Sequence, residues 1–280
     1  MVSIAVGLGN EIHIVGHGLT VTEEFALAPG ITLSPATAMQ TSSFASSTSQ
    51  LQTHAAILTM EGLADFSLRV EHPEGGEALA ARAWNALWLF SLLSLAFRSP
   101  VIPLYSHSKG RGFAIANRNL VIQRLSRIHA AAPEPLAWAA ASLDRFNSLL
   151  DNPQFQAAQR YYNNAHYLFD DDAKIMLLWA GIEGLLGVDA EISRRIALHA
   201  AILLDGTPEE KAALFLAVRR AYALRSKVVH GAGMDPKRLS FAYEFAGELL
   251  VNVLRKMVDL GRIPSIAELD RLATSASIQP

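Results

Sequence analysis

Arg225 and His230 stand five residues apart in the run Arg225-Ser-Lys-Val-Val-His230-Gly231, near the end of a predicted helix that begins at Thr207. Arginine brings a permanent cation with a planar fork of donors. Histidine takes or gives a proton near neutral pH. Together such a pair can bind a phosphodiester and move its protons without a metal. On an ideal helix five residues turn about 140° around the axis. The two side chains therefore share a face only where the helix ends or distorts, or where a second copy supplies the partner. Gly231 is a helix stop. The same residues also have a structural alternative, with Arg225 bridging to Glu183 and His230 capping the helix C-terminus, where an imidazolium is favoured.

Basic residues gather around this helix end: Arg219, Arg220, Lys227, Lys237 and Arg238, which Arg194 and Arg195 can join. They suit either a phosphate track or a solvated helix face. The run Tyr161-Tyr162-Asn163-Asn164-Ala165-His166-Tyr167 sits on a predicted helix and offers rings for base stacking, but its spacing suits a core or dimer surface better. His13 and His17 lack a third ligand nearby, so no metal is expected. Gly7-Leu-Gly9 lacks the rest of a dinucleotide fingerprint. Ser106–Gly112 (SHSKGRG) reads as a hairpin loop rather than a phosphate loop. Trp84, Trp88 and Phe90 read as core, with a small-molecule pocket at Trp84, Trp88 and Phe97 as a remoter alternative.

The 280 residues allow one or two domains. A hydrophobic share of 51% excludes a disordered chain, and a formal charge of -2 excludes a globally basic coat. With no Cys there is no thiolate metal site, iron–sulfur cluster or cysteine nucleophile, and a reducing cytosol is the simplest setting, so the expected location is cytoplasmic. Met1 to Val6 has no Lys or Arg and Glu11 breaks the apolar stretch, so no export signal is expected. Ala83–Phe97 is uncharged but shorter than the roughly 20 residues of a membrane span. A buried helix is expected there, with no membrane partner.

The elements that must position the motif follow from punctuation. Ile12–Val15, Leu19–Val21, Phe66–Glu71, Val101–Tyr105 and Gly112–Ala116 read as strands, and Glu77–Phe97 as one long helix. Residues 40–53, rich in Ser, Thr and Gln, read as a loop or linker that can lead into a helix from Leu51. Beyond about residue 130 come helices over Leu136–Leu150, Pro153–Phe169, Ala173–Leu186, Ile192–Leu204, Glu209–His230 and Pro236–Leu260. Asp170–Asp172, Thr207-Pro208-Glu209-Glu210 and Asp235-Pro236 are start signals, and Gly187, Gly206 and Gly261 are stops. The expected fold is mainly α: a smaller mixed α/β portion over 1–130, then a helical domain over 131–280.

Leu177-Leu-Trp179-Ala-Gly-Ile-Glu183-Gly-Leu-Leu186, then Arg194-Arg195, then Tyr222-Ala-Leu-Arg225-Ser-Lys-Val-Val-His230-Gly231 resemble, in order and spacing, HEPN domains of the Apea-like group. The resemblance covers roughly residues 135–260. It implies an up-and-down helical bundle that forms a homodimer, with no cofactor. It also implies a metal-independent endoribonuclease in many members and a non-catalytic dimerisation, RNA-binding or protein-binding module in others. Carried over, Arg225 and His230 are the paired catalytic positions, and Glu183 is an acid that can orient Arg225. Ser226 takes the polar place after the arginine, where many active members have Asn, Asp or His. The implied reaction is RNA transesterification leaving 2′,3′-cyclic phosphate ends. Its implied setting is phage defence or a toxin system, with an antitoxin or regulatory protein as a partner.

Overall fold

The computed structural model describes residues 4, 6–36, 51–109, 112–116, 128–187, 191–229 and 235–275, with backbone alone at 51–54, 112–113 and 275. The chain divides into two compact units, Met1–Ala141 and Ser142–Pro280. The division falls inside the helix Pro133–Leu149 rather than before it, and the units are of nearly equal length, so the first portion is not markedly the smaller.

In the first unit, β1 (Glu11–His17), β3 (Phe25–Ala28), β4 (Ile31–Pro35), β5 (Phe66–Glu71), β6 (Ile102–Ser108) and β7 (Gly112–Ile115) form an antiparallel sheet in the order β3-β4-β5-β1-β6-β7. β2 (Leu19–Thr20) pairs separately, in parallel, with β8 (His129–Ala130). Strand alternation puts Ile12, Ile14, Leu33, Leu68 and Val70 on one face, all fully buried. Gly16 shares that face: a Cβ there would overlap the rings of Phe66 and Phe90, so only glycine lets those two pack across β1. His13, Ser67, Tyr105 and His107 occupy the other face. α1 (Leu51–Glu61) follows the residues read as a linker, of which 40–50 lie outside the described residues.

The long helix expected over Glu77–Phe97 is two helices, α2 (Gly76–Ala86) and α3 (Trp88–Phe97), meeting at Leu87. α3 is apolar all round because Leu89–Phe97 are all buried. The two stretches together are long and apolar enough to cross a membrane, and 56% of their most apolar window is buried within the protein. Residues 106–108, read as loop, belong to β6.

The second unit takes in the later part of α4 (Pro133–Leu149), then α5 (Pro153–Ala165), α6 (Asp171–Leu186), α7 (Ile192–Leu203), α8 (Pro208–Val229), α9 (Pro236–Leu260) and α10 (Ile266–Ser275). Of the start signals, Asp235 accepts from Arg238 N–H. Asp170 stands at the N-cap of α6 without a side-chain cap bond, with Asp171 and Asp172 in the first turn. Asn152, not read as a signal, accepts from the Gln154 and Phe155 amides. Thr207 and Glu210 form a reciprocal capping box at 3.3 and 2.8 Å. Gly187 and Gly261 close α6 and α9 in the left-handed conformation. α10 was not expected, although Ser265, which accepts from Glu268 N–H, carries the same S-x-x-E signature.

α6 is the central helix, packed against α5, α7, α8 and α9. Its Ile175, Leu178, Trp179, Ile182 and Leu186 are essentially inaccessible. Gly181 permits that position: a Cβ would lie 3.0 Å from Leu250 Cδ2 on α9 and 3.5 Å from Ala158 Cα on α5. The core helix that carries Glu183 is thus clamped from two sides.

Candidate functional site

Trp179 and Glu183 are four apart on α6, and Tyr222 and Arg225 three apart on α8, so each pair shares one helix face. Where α6 and α8 pack, these four side chains meet. Arg225 Nη2 lies 3.1 Å from Glu183 Oε1 and donates to Oε2 at 3.4 Å. The approach to Oε1 is off the N–H direction, so that oxygen has an ion contact but no hydrogen bond. Both side chains are about a quarter exposed, 24% for Arg225 and 25% for Glu183.

The Arg225 guanidinium sits 5.4 Å from the centre of the Tyr222 ring. Trp179, fully buried, meets that ring edge-on at 5.1 Å and 88°. Burial pushes the Tyr222 phenol above its ordinary range. Glu183 adds to this through its charge and by accepting the phenol's hydrogen bond, while Arg225 works against it. Tyr222 therefore stays neutral beside the two charged partners. Among the described residues Arg225 Nε is buried and finds no acceptor.

Glu183 and Arg225 are therefore brought together. His230 lies outside the described residues, one position past the end of α8. Ser226 is half-buried beside Arg225. Arg219, Arg220, Lys227, Lys237 and Arg238 are all exposed. Arg238 pairs with Asp235 at 3.3 Å, and Arg219 lies over the Phe215 ring at 5.8 Å. Arg194 and Arg195 are engaged elsewhere: Arg194 with Glu191, and Arg195 with Asp270, which also holds the buried His199 at 2.9 Å. Tyr162 belongs to the core, and α5 stops at Ala165, before His166 and Tyr167.

Tyr222 and Trp179 are the site members that chemistry-led reading of the sequence passed over as functional. Their signal was the i, i+3 and i, i+4 spacing to the two charged residues, visible only once α6 and α8 are known to touch.

The sheet unit holds a second titratable cluster. His13 and His107 are directly opposite in the β1–β6 register and stack at 5.0 Å with planes 6° apart. His13 Nδ1 bonds Ser67 Oγ at 3.1 Å. Burial lowers both imidazoles, His107 to about 4. Tyr105, beside them, is pushed up to about 12 by burial and by Glu61. His17 is separate, buried, and 2.6 Å from Asp65 Oδ2. Among the described residues no group of three metal-ligating side chains comes together.

No protein-family model, curated protein or solved structure matches the chain.

Proposed function

We propose that the helical unit is a HEPN-like bundle acting, as a homodimer, as a metal-independent endoribonuclease, with Arg225 and His230 as its catalytic pair. The observation that carries this reading is the placement of Arg225. Its guanidinium rests on the Tyr222 ring and against Glu183, five residues before the motif histidine. Cations on α8 and at the start of α9 supply phosphate contacts: Arg220, Lys227 and Lys237, with Arg219 and Arg238 at the edges.

In the proposed reaction the ribose 2′-oxygen attacks phosphorus, the bond to the 5′-oxygen breaks, and a 2′,3′-cyclic phosphate remains. His230 removes the 2′-hydroxyl proton or delivers one to the leaving oxygen. In a dimer the two copies can divide those tasks. Arg225 neutralises charge that grows on the phosphorane, which is the larger share of such catalysis. DNA, lacking the 2′-hydroxyl, is spared.

The second reading rests on the same pair. Arg225 already has an anion, so the motif can equally serve as a structural bridge in a non-catalytic module that dimerises or binds RNA or protein. Cleavage of mixed cellular RNA in EDTA by the purified chain, alongside Arg225→Ala and His230→Ala, separates the two. The nuclease gives fragments with cyclic phosphate ends that both substitutions abolish. No cleavage by a confirmed dimer favours the module. Equal cleavage by all three proteins removes the nuclease reading.

A further inference from the structure

We infer that the helical unit binds an amphiphile of the long-chain carboxylate class in a groove between α7, α8 and α10. The groove encloses about 690 Å³, within the roughly 300–1,000 Å³ of ligand sites. Its walls are Leu198 and Ile202 of α7, Phe215 and Leu216 of α8, and Ala273 of α10. Leu216 is left 50% exposed, an apolar side chain held open to water at the rim.

One charge enters this wall. Lys211, half-buried in the first turns of α8, is the lone ionisable residue of the lining. Among the described residues it has no ion-pair partner. Its neighbour Glu210 is committed to the capping box with Thr207. The positive end of the α8 dipole also lies here, partly offset by Glu209 and Glu210 in its first turn. An apolar trough with a single cation in its lining matches a molecule with one apolar tail and one anionic head.

A second copy of this chain is the competing occupant. A two-fold contact over the groove would bring two Lys211 ammonium groups, with Glu209 and Glu210 beside each, to the edge of one apolar interface. The site also stands apart from Arg225: fourteen residues of helix separate Lys211 from it, about 21 Å along the axis. The inference is therefore independent of the ribonuclease reading.

Titration calorimetry of the full chain with sodium dodecanoate, kept below its micelle concentration, tests it. Saturable one-to-one binding is expected. Lys211→Gln should weaken it about tenfold, the loss of one charge-assisted contact. Dodecyltrimethylammonium, with the same tail and the opposite head, should bind more weakly than dodecanoate. Ala212→Trp fills the groove from an exposed position and should abolish binding while leaving the thermal melt unchanged. The inference is overturned by an absence of saturable heat, by undiminished binding to Ala212→Trp, or by equal affinity for the two head groups. It is equally overturned if wild type is a dimer that Ala212→Trp dissociates, because the groove would then be a self-interface.

Discussion

Acidification should weaken the sheet where β1 meets β6, and His107 should be the main cause. Its imidazole is stacked on His13 across the strand pair, and its buried Nε2 has no partner among the described residues. A proton there would create a cation without an acceptor, next to a second imidazole. The groups facing the pair are Glu11 and Glu71, which favour charge on His13, Arg69, which opposes it, and Tyr105, which stays neutral. His107 titrates at about 4 in the folded chain against 6.5 when free. The unfolded chain therefore takes the proton first. Stability from this site is complete above pH 6.5 and is lost as pH falls toward 4. Undiscounted, the difference is about 3 kcal/mol at about 1.4 kcal/mol per pKa unit. The ring is partly open to water, and screening reduces this to about 1–2 kcal/mol. His13, lowered for the same reason, adds in the same direction. Urea unfolding of wild type and His107→Phe between pH 7.5 and 4.5 measures the effect. The phenyl ring keeps the stack and cannot titrate, so wild type should lose about 1–2 kcal/mol more than the variant. Parallel losses in the two proteins would refute the assignment. The result also fixes the pH range in which an RNA-cleavage profile reports on His230 rather than on the sheet.

Glu183→Gln should leave the half-buried Arg225 without its anion, costing about 1–2 kcal/mol, between an exposed and a fully buried pair, by urea unfolding. The same substitution should let the Tyr222 phenol titrate at lower pH, read by ultraviolet absorbance, since Glu183 helps to raise it. Gly181→Val should destabilise the helical unit by about 1–3 kcal/mol or more, because even its Cβ presses on Leu250 and on the Ala158 backbone; a thermal melt unchanged from wild type would show that α6 does not approach α5 and α9 this closely.

What was legible in the sequence was local. Thr207-Pro208 and Asp235-Pro236 each fix a helix start with groups that lie side by side in the chain, and the starts fall where they were read. Phe66–Glu71 alternates cleanly and is a strand over that same span. The sheet order was not legible, because β5 pairs with both β4 and β1, and β1 with β6, across long separations that no local pattern encodes. The break at Leu87 was hidden because the uncharged run Ala83–Phe97 crosses it with no Gly or Pro to mark a helix end. At the site, Arg225, Glu183 and their opposite charges were visible. Trp179 and Tyr222 stood in the motif, but their packing on the charge pair was not legible, because a ring becomes part of a charge cluster only through contact between helices.

The geometry of the Arg225–Glu183 pair bears on which reading of the motif is physically easier. A fully buried bridge would hold its arginine tightly, since exchanging the carboxylate for a phosphate would expose two desolvated charges along the way. This pair is different. Each side chain is about a quarter exposed, one carboxylate oxygen is met off-line, and the Arg225 Nε donor is unused. Glu183 thus holds the guanidinium in place over the Tyr222 ring without saturating its fork of donors. Under the proposed reading, a phosphodiester competes with Glu183 for Nη2 while the guanidinium stays beside the Tyr222 ring. On that reading, orientation by a partner and a ring is what a transition-state-stabilising arginine needs; the buried Nε is out of reach of an incoming phosphate and favours neither reading.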